Sequence, residues 1–179
     1  HRIWVLASDG DMMEGVSHET GALAGHLGLG NLIVFYDDNG ISIDGPTDLA
    51  MSDDVPARFR SYGWDVQSVD GHEPDAVDAA IERAKGTDTP SLIACRTTIG
   101  YGAPEKAGTA ATHGAPLGSD EVAGMRRELG WDAEPFDIPE DILHAWRTVG
   151  RQGAALSAEW RERYQRHSQR GAFDSAVAG

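Results

Sequence analysis

Four short apolar runs punctuate the first hundred residues: Ile3–Ala7, Leu32–Tyr36, Asp65–Val69 and Ser91–Arg96. Gly, Asp or Pro bounds each run, and none alternates cleanly between apolar and polar positions. Such runs read as strands buried on both faces, and so as a parallel sheet. Between them apolar residues recur at helical spacing. Glu14–Leu27 places Val16, Leu23, Ala24 and Leu27 on one face, with Gly28 as a stop. Asp53–Tyr62 opens with acidic residues suited to a helix N-terminus. Pro74–Lys85 aligns Ala76, Val77, Ala80, Ile81 and Ala84 before Gly86. This order predicts an α/β fold: a doubly wound, mainly parallel sheet with helices on both faces and right-handed crossovers.

The pattern then changes. Thr97–Gly118 is long, rich in Gly and Pro and without periodicity, as functional loops are. A helix is expected from Ser119, the candidate N-cap, to Leu129. Pro139–Thr148 and Gln152–Gln169 read as two further helices, and the last ten residues as frayed. A boundary near Gly150–Gly153 would separate a sheet domain, 1–150, from a helical extension, 151–179.

Composition narrows the classes of function. Charged residues make up 25% of the chain and hydrophobic ones 40%, as in soluble globular proteins. No apolar run approaches the ~18 residues of a membrane span. The net charge of −14 offers no basic footprint for nucleic acid. Residues 144–179 depart from this, with six Arg against three acidic residues, and read as a solvated or subunit-facing helix. Cys95 is the single cysteine and lies in an apolar run. It reads as a buried structural thiol in a reducing cytoplasm. No signal peptide precedes the first run, and the chain opens on His1 rather than Met; the expectation is a part of a longer polypeptide.

In open parallel sheets ligands bind beyond the carboxyl ends of the strands. Those positions hold Ser8-Asp9-Gly10-Asp11, Asp37-Asp38-Asn39-Gly40-Ile41, Asp70-Gly71-His72 and Thr97-Thr98-Ile99-Gly100-Tyr101-Gly102. Oxygen donors thus converge at one rim, among glycines that let a backbone approach a ligand closely. Mg²⁺ suits such a rim, because it commonly takes one or two carboxylates and completes its shell with phosphate and water oxygens. Asp9 can give a carboxylate, Asn39 an amide oxygen and Ile41 a main-chain carbonyl. Gly10 and the helix start near Glu14 can face a phosphate. Neither a Walker A run nor a Gly-x-Gly-x-x-Gly fingerprint occurs. Each piece alone reads more simply as a turn; their positions after successive strands join them.

Asp9-Gly10, with Asn39 thirty residues on, resembles the Gly-Asp-Gly…Asn signature of thiamine-diphosphate enzymes. The flanking residues narrow the resemblance to the transketolase family. They are Ser8–Gly15, Asp37–Gly45, Arg58-Phe59 with Tyr62-Gly63-Trp64, Asp70-Gly71-His72, Thr98–Gly102, and His113-Gly114-Ala115-Pro116-Leu117-Gly118. The resemblance runs over nearly all of residues 3–165.

It implies that Asp9, Asn39 and the Ile41 carbonyl hold Mg²⁺, with Ca²⁺ or Mn²⁺ as substitutes, and that Gly10 meets the diphosphate of thiamine diphosphate. By the same resemblance Ile99 holds the thiamine moiety, His113 lies near the diphosphate and the substrate channel, and Glu14 links paired sites across a homodimer. Glu14 and His113 are the candidate catalytic residues. The implied reaction moves a two-carbon ketol unit from a ketose phosphate to an aldose phosphate, in an active site shared between subunits. A pyrimidine-binding domain and part of the sugar-phosphate site lie outside this chain, which alone is expected to turn over negligibly.

Two departures stand out. Ser8 replaces the first Gly of the signature, and Ala110-Ala111 stand where family members often carry a His. Relatives such as dihydroxyacetone synthase and 1-deoxyxylulose-5-phosphate synthase stay open, as does a non-catalytic cofactor-binding domain. So does a phosphotransferase-like domain using Asp9 with Asp11. His18 reads as a packing or interface residue, and His72 as either a rim or a turn residue.

Overall fold

All four apolar runs are strands in the computed structural model, which describes residues 1–178. In chain order the strands are β1 (Ile3–Ser8), β2 (Leu32–Asp38), β3 (Ile41–Ser42), β4 (Gly45–Pro46), β5 (Asp65–Asp70) and β6 (Ser91–Arg96). The four longer ones form a sheet in the order β1-β2-β6-β5, and every pairing in it is parallel. β3 and β4 form a small antiparallel hairpin that no periodicity announces, since each has only two residues. The register sets Ser8 opposite Asp37, and Arg96 opposite both Asp38 and Asp70. The carboxyl ends of all four strands therefore come level, and the polar tetrads that follow them share one rim.

Side chains alternate across the two central strands. Val34, Tyr36, Leu92 and Ala94 pack with Met12, Ala24, Val55, Phe59 and Trp64. Ile33, Ile93 and Cys95 pack with Ala80 and Ala84. Helices α1 (Asp9–Met13), α2 (Gly15–His26) and α3 (Val55–Ser61) thus cover one face, and α4 (Pro74–Lys85) covers the other. Burial of each large side chain contributes roughly 1.5–3 kcal/mol, which is why the continuous apolar runs become the central strands. β1 differs. It has a strand neighbour on one side only, and Ile3, Trp4, Val5 and Leu6 are exposed. The expectation of burial on both faces therefore holds for β2 and β6 and not for the edge strands β1 and β5, neither of which has a fully buried residue.

The buried face of α2 also differs from the periodic one. Val16, Leu23 and Leu27 are exposed, whereas Gly21 and Ala24 are buried. The cause is a close approach: a Cβ on Gly25 would sit 1.9 Å from the Tyr62 carbonyl oxygen. The indole N–H of Trp64 donates to the Gly21 carbonyl at 2.8 Å. Only small residues fit that interface, and larger apolar ones are turned outward. Gly25→Ala should accordingly destabilise the protein by roughly 3 kcal/mol, because backbone rather than a flexible side chain must move; urea denaturation reads the change.

The long loop is tethered rather than free. The buried Glu121 carboxylate, on α5 (Ser119–Glu128), accepts the main-chain N–H groups of Glu105 and Lys106 at 3.3 Å. Lys106 Nζ donates to the Leu117 carbonyl at 2.6 Å. Gly118, in the left-handed region at φ 92°, takes the N-cap position expected of Ser119.

The chain divides into two compact units, His1–Trp131 and the residues from Asp132 onward. In the second, α6 (Glu140–Arg166) is continuous through Gly150 and Gly153, and α7 (Arg170–Ala178) forms where fraying was expected. An interior glycine costs a helix only ~1 kcal/mol relative to alanine, which the surrounding helix-forming run Ala154-Ala155-Leu156 offsets. Trp160 stacks on Tyr164, and Phe173 meets Tyr164 edge-on, which orders α7 against the end of α6. No helix among the described residues is long and apolar enough to cross a membrane.

Candidate cofactor site

Ser8 ends β1 in an extended conformation (φ −115°, ψ 178°) and caps α1. Its main-chain N–H and its hydroxyl both donate to the Asp11 carboxylate, at 2.8 and 3.0 Å. The position needs no positive φ, so serine sits there without backbone strain and adds a cap. Asp11 closes the turn through its Oδ2.

Asp9, the first residue of α1, is only 2% exposed. Its Oδ1 accepts the Tyr36 hydroxyl at 2.6 Å. Its Oδ2 accepts the main-chain N–H groups of Asn39 at 3.1 Å and Gly40 at 3.0 Å. Asn39 Oδ1 accepts the Ile41 N–H at 2.9 Å, and its Nδ2 donates to Asp37 at 3.3 Å. The turn closes because Gly40 takes a positive φ of 71°. Asp9, Asn39 and Ile41 are thus drawn into one hydrogen-bonded cluster, although thirty residues separate the first two.

Burying a carboxylate is costly unless its charge is met. Among the described residues only neutral donors hydrogen-bond to Asp9, which leaves its charge suited to a cation. No cluster of three or more His, Cys, Asp or Glu that could hold a metal occurs among the described residues. The groups drawn together at Asp9 are one carboxylate, one side-chain amide and the main chain of Ile41. That set fits Mg²⁺ when an anionic ligand completes the shell.

Tyr36 is the residue that the sequence pattern hid. It lies on a buried strand and looks like ordinary core. The available signal was chemical: a buried phenol needs a hydrogen-bond partner, and the strand ends beside the acidic rim. Burial, then the hydrogen bond to Asp9, push its pKa far above the ordinary 10. The hydroxyl therefore stays protonated and keeps donating. Tyr36→Phe should cost about 1–2 kcal/mol at neutral pH. The raised pKa also means that this stability is complete below about pH 10 and is lost as the pH rises beyond it. Denaturation midpoints from pH 7 to 11 should therefore fall less steeply in the variant than in the parent.

Beside this cluster lies a cleft of about 380 Å³ whose walls include Gly10, Glu14, Asn39, Ile41 and His113. Gly10 is helical, and a Cβ added there would meet nothing within 4 Å. Neither backbone nor packing demands glycine, so the space in front of it is open to a ligand. Glu14 links α1 to α2 in an extended conformation (φ −71°, ψ 136°). Ile99 lines a neighbouring cavity of about 630 Å³ with Asp37, Thr97 and Thr98, and the two spaces share Ser8 and Asp11 as walls. Cys95 also borders that cavity. Burial, then the Asp37 charge, push its thiol pKa up, as an inert core thiol requires. His18 is away from both clefts and partners Arg58, which also donates to the Met12 carbonyl at 3.0 Å and so secures the end of α1.

A parallel α/β sheet with a buried carboxylate and an open glycine at its carboxyl rim has the form of a ligand-binding α/β domain. The chain matches the family described as transketolase, thiamine diphosphate binding domain, over residues 1–178. It is 50% identical to the transketolase of Cereibacter sphaeroides over 99% of its own length and 27% of that protein's. It is 55% identical to the plasmid transketolase of Cupriavidus necator, over 92% of its length and 25% of that protein's. Among solved structures, Campylobacter jejuni transketolase superposes with a TM-score of 0.89 at 35% identity, covering 97% of this chain and 28% of that one. Pichia stipitis transketolase in complex with sedoheptulose 7-phosphate gives 0.85 at 39%, covering 98% and 26%. The chain belongs to the transketolase family, as its thiamine-diphosphate-binding domain, and spans about a quarter of the length of the curated relatives it matches.

Proposed function

We propose that this chain is the metal- and diphosphate-binding part of a transketolase, which moves a two-carbon ketol unit from a ketose phosphate to an aldose phosphate. The observation that carries the reading is the buried Asp9 carboxylate, fixed by Tyr36, Asn39 and Gly40 beside the open space at Gly10. Asp9, the Asn39 amide oxygen and the Ile41 carbonyl are the ligands for Mg²⁺, which Ca²⁺ or Mn²⁺ can replace. The residues fit thiamine diphosphate, which when bound supplies the carbon nucleophile of ketol transfer.

The chain's own groups bind and orient. The main chain at Gly10 approaches the diphosphate with no side chain in between. His113, on the wall of the same cleft, donates to a diphosphate oxygen or to the sugar. Ile99, in the adjoining cavity, gives an apolar surface for the thiamine rings. Glu14, at the junction of α1 and α2, would connect the paired sites of a homodimer. Sugar-phosphate substrates and a cytoplasmic location belong to the same proposal, as do completion of the site by a second subunit and by residues outside this chain.

Titration calorimetry of the full-length enzyme tests the reading. Thiamine diphosphate should bind in the presence of Mg²⁺ and lose most of its affinity in chelator. Equal affinity in both would refute the metal–diphosphate assignment. The 179-residue chain alone should bind weakly and transfer no measurable ketol.

A further inference from the structure

The turn after β5 is fastened to the end of β6 and the loop that follows it at three points. The Gly71 N–H donates to the Arg96 carbonyl at 2.8 Å. The Thr98 N–H donates to His72 Nε2 at 2.9 Å. The His72 ring lies over the Tyr101 ring, with centroids 3.9 Å apart and planes 20° from parallel. Gly71 permits this closeness, since a Cβ there would sit 2.5 Å from Thr97 Cγ2. His72 is itself fixed by its main-chain N–H, which donates to the Asp70 carboxylate at 2.9 Å.

This contact selects a chemical form. An amide N–H needs a ring nitrogen with a free lone pair, so His72 is neutral and carries its proton on Nδ1. Thr98 lies between Thr97, whose hydroxyl donates to Asp37, and Ile99, which lines the cavity. Beyond Ile99 the loop turns through Gly100 and Gly102 at positive φ. On either side of Thr98 it is held at Thr97, whose N–H donates to the Asp38 carbonyl at 3.2 Å, and at Ile99, whose carbonyl accepts the Gly108 N–H at 2.8 Å. Among the described residues the Thr98 N–H meets no acceptor other than His72.

We propose that His72, as the neutral Nδ1–H tautomer, is a positioning residue that holds Thr98 and thereby sets where Ile99 meets the cofactor. His72 acts through the loop and touches no reacting atom. A histidine that merely filled the turn would be replaced equally well by any side chain that fits. A latch requires an acceptor at the Nε2 position, which a glutamine amide oxygen reproduces and alanine does not.

The inference rests on the cofactor reading above, so the test has one arm that needs no cofactor. Hydrogen–deuterium exchange of the full-length enzyme without ligand, followed on peptides spanning 97–102, should rise in His72→Ala and stay near the parent level in His72→Gln. Calorimetry with thiamine diphosphate at saturating Mg²⁺ should show affinity falling roughly five- to tenfold in His72→Ala, the loss of about one hydrogen bond. In His72→Gln it should stay within about twofold of the parent. Unchanged exchange in His72→Ala would overturn the latch. Altered exchange with unchanged affinity, or equal losses in both variants, would overturn its role toward the cofactor. Absence of Mg²⁺-dependent binding in the parent itself would instead sink the cofactor reading, and this role with it.

Discussion

Asp9→Asn should lower the Mg²⁺-dependent affinity for thiamine diphosphate at least a hundredfold while leaving the fold intact. Asparagine matches the site closely. Its oxygen can accept the Asn39 and Gly40 N–H groups that Oδ2 accepts now. Its amide can donate to the Tyr36 oxygen, because a hydroxyl can accept as well as donate. What disappears is the negative charge. A hard divalent ion depends on that charge, and the other carboxylate of the cluster, Asp37, already accepts the Asn39 amide and the Thr97 hydroxyl. A hundredfold loss corresponds to about 2.7 kcal/mol, within what one anionic ligand contributes to a buried ion. Asp9→Ala is the harsher variant. It leaves three donors without their acceptor, one of them the buried Tyr36 hydroxyl, and its instability would confuse the reading. Calorimetry together with a thermal melt separates the two effects, and a Kd within threefold of the parent would end the assignment of Asp9 as a ligand.

The second large effect is expected at Gly10→Ala, where stability and binding should move in opposite directions. The position is helical and its Cβ direction is empty. Alanine there should therefore stabilise the protein by about 0.4–1 kcal/mol, chiefly by restricting the unfolded chain. The methyl group would stand where the diphosphate must approach the backbone, and affinity should fall by roughly tenfold or more, the scale of a misplaced contact in a close-packed site. A raised melting temperature with unaltered cofactor affinity would show that the open space serves something else.

Much of the fold was legible because its central strands are buried on both faces. Leu32–Tyr36 and Ser91–Arg96 have little choice but to sit mid-sheet, and the polar residues after them then share a rim. The rest was hidden for identifiable reasons. The inner face of α2 is Gly21, Ala24 and Gly25, so apolar periodicity points to the wrong side. The hairpin of β3 and β4 is too short to show a period. α6 runs through two glycines because each costs less than a helix break would. At the site, Asp9, Asn39 and Ile41 were recognisable from the resemblance, and the structure draws them together. Tyr36 was not, since its aromatic body reads as core while its hydroxyl serves the rim. His72 was ambiguous for a related reason: its role lies in a contact with Thr98, twenty-six residues away, and no local pattern encodes that.

The hydrogen bonds around Asp9 also bear on how fast and how cleanly an ion can arrive. A phenol and two peptide amides hold the carboxylate in one orientation. Its orientation is settled when the chain folds, so the entropy of arranging this ligand does not recur at each encounter. A cation bound as proposed would need to shed water, and Asp9 would not need to reorient.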